Sequence, residues 1–139
     1  MQIAEAAVED VFSHAREESP RECCGLLVGS GDVVTRTVRA ANIDPAAARY
    51  LIDPADHFKA IRLARADGLE VIGAYHSHVA SAATPSPTDV AEARNGPDFY
   101  YLIVSLSDGE VGAYRVEDGR PIQLPLRSRR ARGPARSAS

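Results

Sequence analysis

Leu69-Glu70-Val71-Ile72-Gly73-Ala74-Tyr75-His76-Ser77-His78 is an apolar run that ends in two histidines. It reads as a buried strand, begun after the breaker Asp67-Gly68 and rich in β-branched and aromatic residues. Residues two apart on a strand share a face, with Cα atoms ~6.5 Å apart. His76 and His78 can therefore converge on one zinc ion while Ser77 points away. Seven residues further on stands Ser86-Pro87-Thr88-Asp89. Pro85 and Pro87 predict a turn that brings the chain back, which makes Asp89 the candidate third ligand.

The same four residues also read as a helix start, with Ser86 as N-cap, Pro87 first in the helix and Asp89 completing a capping box. The two readings are compatible, because a helix N-terminus holds Asp89 in place and leaves Ser86 at the edge of the site. Upstream, Pro20-Arg21-Glu22-Cys23-Cys24-Gly25-Leu26-Leu27-Val28-Gly29 supplies a further carboxylate. A lone glutamate between a helix end and a strand is ordinarily solvated. Here the strand from Cys23 to Val28 is apolar on both faces, as central strands are, so Glu22 stands at the mouth of a central strand.

Taken together, Glu22 in its Glu-x-Cys-Gly-x-Leu-x-Gly setting, His76-Ser77-His78, seven residues, Ser86, two residues and Asp89 resemble the signature of the JAMM (MPN-plus) metallopeptidases. The resemblance runs from about Ile3 to about Leu126, with no departure at these positions. It implies a single α/β domain of MPN/JAMM type, a mixed β-sheet flanked by helices. It also implies one Zn²⁺ per chain on His76, His78 and Asp89, with an open position for water, as catalytic rather than structural zinc has. Glu22 is then the general base and acid, and Ser86 the donor to the oxyanion. The stretch Arg49-Tyr50-Leu51-Ile52-Asp53, together with Tyr75-His76-Ser77-His78, is similar to small bacterial members. Those release cysteine from the C-terminus of a ubiquitin-like sulfur-carrier protein in cysteine biosynthesis. The expected reaction is hydrolysis of the amide bond after that carrier's C-terminal glycine. The alternative is a non-catalytic MPN binding module for a ubiquitin-like partner. Gly73 is open to two explanations, close approach of a substrate tail or tight packing.

The rest of the chain frames this reading. Its 139 residues suit one domain, and 45% hydrophobic with 25% charged residues is ordinary for a globular chain. No apolar run reaches membrane-spanning length and no secretory signal is visible, so the cytoplasm is the expected compartment. Cys23 and Cys24 are adjacent and face opposite ways on a strand, so they neither pair nor grip one metal together. Buried thiols fit a reducing compartment. Net charge is −3, unevenly spread. Residues 127–139 hold five arginines and no acid, and the remainder carries 11 basic against 19 acidic residues, near −8. The tail is expected to be disordered, and an acidic body is a poor platform for nucleic acid.

The expected path begins with a helix from Ile3 to about Glu18, its apolar face Ile3, Ala7, Val11 and Ala15. Strands follow near 23–29, 33–41 and 49–52, then a helix opened by Asp53-Pro54 and stopped by Asp67-Gly68. After the 69–78 strand come a loop, a short helix over 87–94, and strands near 99–106, 110–116 and 121–125. His14 is placed on the partly exposed side of the first helix and His57 in the first turn of the second, both apart from the motif.

Overall fold

The computed structural model describes residues 1–130 of the chain. In order run β1 (Gln2–Ala4), α1 (Glu5–Glu18), β2 (Cys24–Ser30), β3 (Val33–Ala40), α2 (Pro54–Ala66), β4 (Glu70–His78), α3 (Pro87–Ala91), β5 (Tyr100–Ser105), β6 (Val111–Glu117), β7 (Arg120–Leu124) and β8 (Arg127–Arg129). Among the described residues the strands form one sheet in the order β7-β6-β5-β4-β2-β3-β1-β8. The sheet is mixed: β4 and β5 pair in parallel, as do β1 with β3 and with β8, and the other neighbours are antiparallel.

Side-chain alternation divides the core into two layers. On one face, Cys23, Leu27, Tyr75, Leu102 and Val104 pack under Ala7, Val11 and Ala15 of α1. On the other, Cys24, Leu26 and Ala74 pack under Ala60 of α2. His76 and His78 continue the row of Ala74, two and four residues on, so the imidazoles rise on the α2 side. The β2–β4 register sets Cys24 opposite His76, which brings the start of β2 alongside the end of β4. Two glycines make this centre close-packed. A Cβ at Gly25 would enter the Tyr75 ring, and one at Gly73 would meet the Tyr100 carbonyl of β5. Tight packing thus accounts for Gly73.

Several expectations are corrected. Ile3 has the spacing of a helix face but lies in β1, because its backbone is taken by β3 and β8. The predicted strand at 49–52 reduces to a single bridge between Asn42 and Ile52. The helix expected over 87–94 stops at Ala91: it buries no residue, and it closes at Glu92, whose N–H bonds to the Thr88 carbonyl. Within the tail expected from Arg127, Arg127–Arg129 instead pair with Gln2–Ala4 as β8. The rest of that tail, 131–139, lies outside the described residues. His14 is buried, 2.7 Å from the Tyr75 hydroxyl, rather than partly exposed. His57 is half-buried in the first turn of α2. No helix among the described residues is long and apolar enough to cross a membrane.

Candidate active site

The five residues singled out by the sequence pattern gather where β2 begins, β4 ends and α3 begins. His76 Nε2, His78 Nε2 and Asp89 Oδ2 form a triangle: 3.2 Å between the two nitrogens, and 3.0 and 3.1 Å from them to the oxygen. Two ligands ~2.0–2.1 Å from one zinc ion, at the tetrahedral angle, stand ~3.3 Å apart. The edges of the triangle match that spacing. Two ring nitrogens and a carboxylate oxygen so close together need positive charge among them, which either a ring proton or a divalent ion can supply.

Two corners are held by hydrogen bonds and the third by stacking, His76 Nδ1 being buried with no hydrogen-bonding partner among the described residues. His78 Nδ1 lies 2.7 Å from the Ala82 carbonyl, which can only accept, so Nδ1 carries a proton, and whenever the ring is neutral Nε2 presents a lone pair. His76 stacks on Tyr50, with ring centroids 4.2 Å apart and planes 19° from parallel. Asp89 sits in the capping box that the sequence predicts. Its backbone N–H donates to Ser86 Oγ at 3.0 Å, and Oδ2 accepts the Ser86 N–H at 2.9 Å. Ser86 Oγ thus uses an acceptor site in the cap and keeps its own hydrogen for another partner.

Titration follows from this enclosure. Burial holds the His76 imidazole below its ordinary range in spite of Asp89. Burial also opposes charge on His78, but Asp89 and the Ala82 carbonyl outweigh it and move that ring upward. For Asp89, burial pushes the carboxyl up, yet hydrogen bonds from both imidazoles prevail and hold it well below the usual carboxylate range.

Glu22 is 7% exposed, and its Oε1 is buried with no hydrogen-bonding partner among the described residues. Together with His76 and His78 it offers ligand atoms that all lie within 4.8 Å of one another. Glu22 and Asp89 therefore compete on paper for the third place beside the histidines. Asp89 is the tighter member, because a single oxygen sits about equally close to both rings. Glu22 is left adjacent with an unspent oxygen. Burial, reinforced by the Asp89 and Asp44 charges, raises its carboxyl to about 7, with His78 opposing.

Residues 4–117 match the family of prokaryotic homologs of the JAB domain. The chain belongs to the JAB-domain family. It is 35% identical over 125 residues to the CysO-cysteine peptidase of Mycobacterium tuberculosis, a match covering 86% of this chain and 84% of that one. It is 31% identical over 123 residues to a probable TtuB-protein conjugate cleaving protease of Thermus thermophilus, covering 88% and 80%. A Desulfitobacterium hafniense protein known from a solution structure superposes with a TM-score of 0.84 at 27% identity, covering 94% and 93%. Peptidases among the relatives fit a JAB-domain hydrolase with a buried cluster able to hold a metal.

Three further residues of this JAB domain support the site without being among the candidate ligands. Ser77, pointing away from the histidines as expected, accepts the Cys23 N–H at 2.8 Å and so pins the residue after Glu22 to the strand carrying both imidazoles. Asn42 donates to the Glu22 and Arg49 carbonyls and accepts from the Asp44 and Leu51 amides, all at 2.9–3.0 Å. Tyr50 covers His76. For Asn42 the available signal was its setting, an asparagine before Asp44-Pro45 in a turn-rich stretch. Nothing in the spacing pointed to the Tyr50 stack.

Proposed function

We propose that this JAB domain is a cytoplasmic zinc peptidase that hydrolyses the amide bond after the C-terminal glycine of a ubiquitin-like sulfur-carrier protein, releasing cysteine. The observation that carries the reading is the 3.0–3.2 Å triangle of His76, His78 and Asp89 with the unpartnered Glu22 oxygen beside it. His76, His78 and Asp89 would hold the ion, two imidazoles and a carboxylate being a donor set that suits zinc. When bound, zinc supplies the positive charge that makes hydroxide available near neutral pH.

The chain's own groups do the rest. Glu22, with a carboxyl near 7, accepts a proton from the attacking water at Oε1 and delivers it to the departing amine. Water's oxygen bonds to the carbonyl carbon, the carbon–nitrogen bond breaks, and the products are the carrier's carboxylate and a free amine. Ser86 donates its remaining hydrogen to the carbonyl oxygen as negative charge develops there. Support for the carrier substrate comes from the relatives, whose names specify a CysO-cysteine adduct and TtuB-protein conjugates. Two buried free cysteines support a reducing compartment.

The test pairs elemental analysis with turnover. Wild type should carry about one zinc per chain and release cysteine from a carrier–cysteine adduct, and His78→Ala should lose both. Zinc without cleavage of any carrier adduct would move the domain to the role of a binding module. Protein purified without chelators and free of metal would overturn the site itself.

A further inference from the structure

A groove of about 150 Å³ opens directly beside the candidate centre, lined by Ala48, Arg49, Tyr50, Ser86, Thr88, Asp89 and Glu92. It shares Ser86 and Asp89 with the site, so a group bound there is in reach of the reacting bond. At ~30 Å³ per water, this space is on the scale of one small amino acid. Among the described residues that line it, Arg49 is the single cation.

Arg49 is placed firmly by its backbone and loosely by its side chain. Its carbonyl accepts from Asn42 Nδ2 at 2.9 Å, the same amide that holds the Glu22 carbonyl at 2.9 Å. Its guanidinium stands 3.7 Å from Asp44 Oδ2 and 3.5 Å from Glu92 Oε1. Charge-assisted pairs of good geometry close to ~2.7–2.9 Å. Neither acid is so engaged, and the side chain is about half exposed. A planar fork of donors at the rim of a small groove, with two distant acids as its present partners, is arranged to take a carboxylate in bidentate fashion.

We propose that Arg49 selects the leaving group by reading a free α-carboxylate on it. The preferred substrate is then a carrier whose terminal glycine is joined to a single amino acid, not to a lysine side chain within a protein. The inference rests on the peptidase reading above and assigns the choice of leaving group to a residue of that site. Glu92, whose carboxylate borders the same groove, repels the incoming carboxylate unless Arg49 is present, which sharpens the dependence.

The deciding experiment compares zinc-loaded wild type with Arg49→Gln on two adducts, carrier–cysteine and carrier–cysteinamide, which differ in one negative charge. The measured quantity is the ratio of the two kcat/KM values. Wild type should favour the acid by about ten- to a hundredfold, the range of one hydrogen-bonded charge contact. Arg49→Gln should bring the ratio close to one, mainly through KM, and Arg49→Lys should restore part of it. A companion readout needs no turnover: the Arg49 Nε–H resonance should shift on adding L-serine and not L-serinamide. A wild-type ratio near one, a ratio unchanged by Arg49→Gln, or a resonance indifferent to both ligands overturns the inference while leaving a peptidase in place. Failure of wild type to cleave either adduct overturns the peptidase reading itself.

Discussion

The two walls of the candidate site are built differently. On the wall of β4 and α3, His76, His78 and Asp89 come from a strand end and a capped helix start, and each is fixed by an identified contact. On the opposite wall, residues 42–52 have almost no ladder pairing and depend on the side chain of Asn42. The difference separates two tasks. On the proposed reading, groups that must meet within tenths of an ångström sit on regular elements, while groups that would meet the variable part of a substrate sit on a segment held by side chains.

The sharpest way to break this division is to remove the group that stands between the walls. Glu22→Ala should lower kcat by about 10²–10⁴-fold, the usual worth of a positioned acid–base group, with zinc content unchanged by elemental analysis. Loss of zinc in that variant would make Glu22 a ligand and Asp89 the outsider. Ser86→Ala comes next. It removes the hydroxyl expected to meet the oxyanion, at a cost of about 10²–10³ in kcat. It also strips the α3 cap, worth about 1 kcal/mol in a denaturant melt. A variant that loses stability alone would confine Ser86 to its capping role.

Asn42→Ala probes the other wall. It frees four backbone groups at once and should cost about 1–3 kcal/mol of unfolding free energy, since part of that surface regains water. It should also raise KM while the metal stays bound. If zinc departs with Asn42, the two walls are not separable units.

The smallest effect concerns stability on the face away from the site. Burial lowers the His14 pKa from 6.5, with Arg39 acting the same way and Glu18 and Glu17 opposing. Its folded-state value lies below the unfolded one, so the contribution is present above about pH 6.5 and is lost as pH falls through the folded value. Melts of wild type and His14→Gln between pH 5 and pH 7.5 should therefore diverge. Wild type should lose more stability toward the acid end, and parallel curves would show that His14 does not titrate on unfolding.

How much of this was legible in the sequence depends on the range over which each signal acts. The strand ending in His76 and His78, and the cap at Ser86, are written in consecutive residues, where alternation and cap chemistry are local. Glu22 by itself carries no such mark, and its place beside the histidines depends on β2 pairing with β4 across some fifty residues of chain. Asn42 and Tyr50 act through contacts that no periodicity encodes, a side-chain amide satisfying distant backbone groups and a ring laid on an imidazole. Ile3 fits a helix face and a strand equally well. Only its parallel neighbours β3 and β8 decide between them, and β8, a run of polar residues, has no strand pattern of its own.

The loop from His78 to Ser86 is fastened at three successive carbonyls: Ser81 accepts from Ser105, Ala82 from His78 and Ala83 from Tyr114, at 2.7–2.8 Å. A segment fastened in this way gives up its freedom when the protein folds, before any ion arrives. Cation capture at the candidate site would then need no loop closure, so its free energy would not be drained by ordering the chain. Such a cage should bind tightly and exchange slowly, and should show nearly the same backbone amide exchange rates around residues 79–86 with and without its ion.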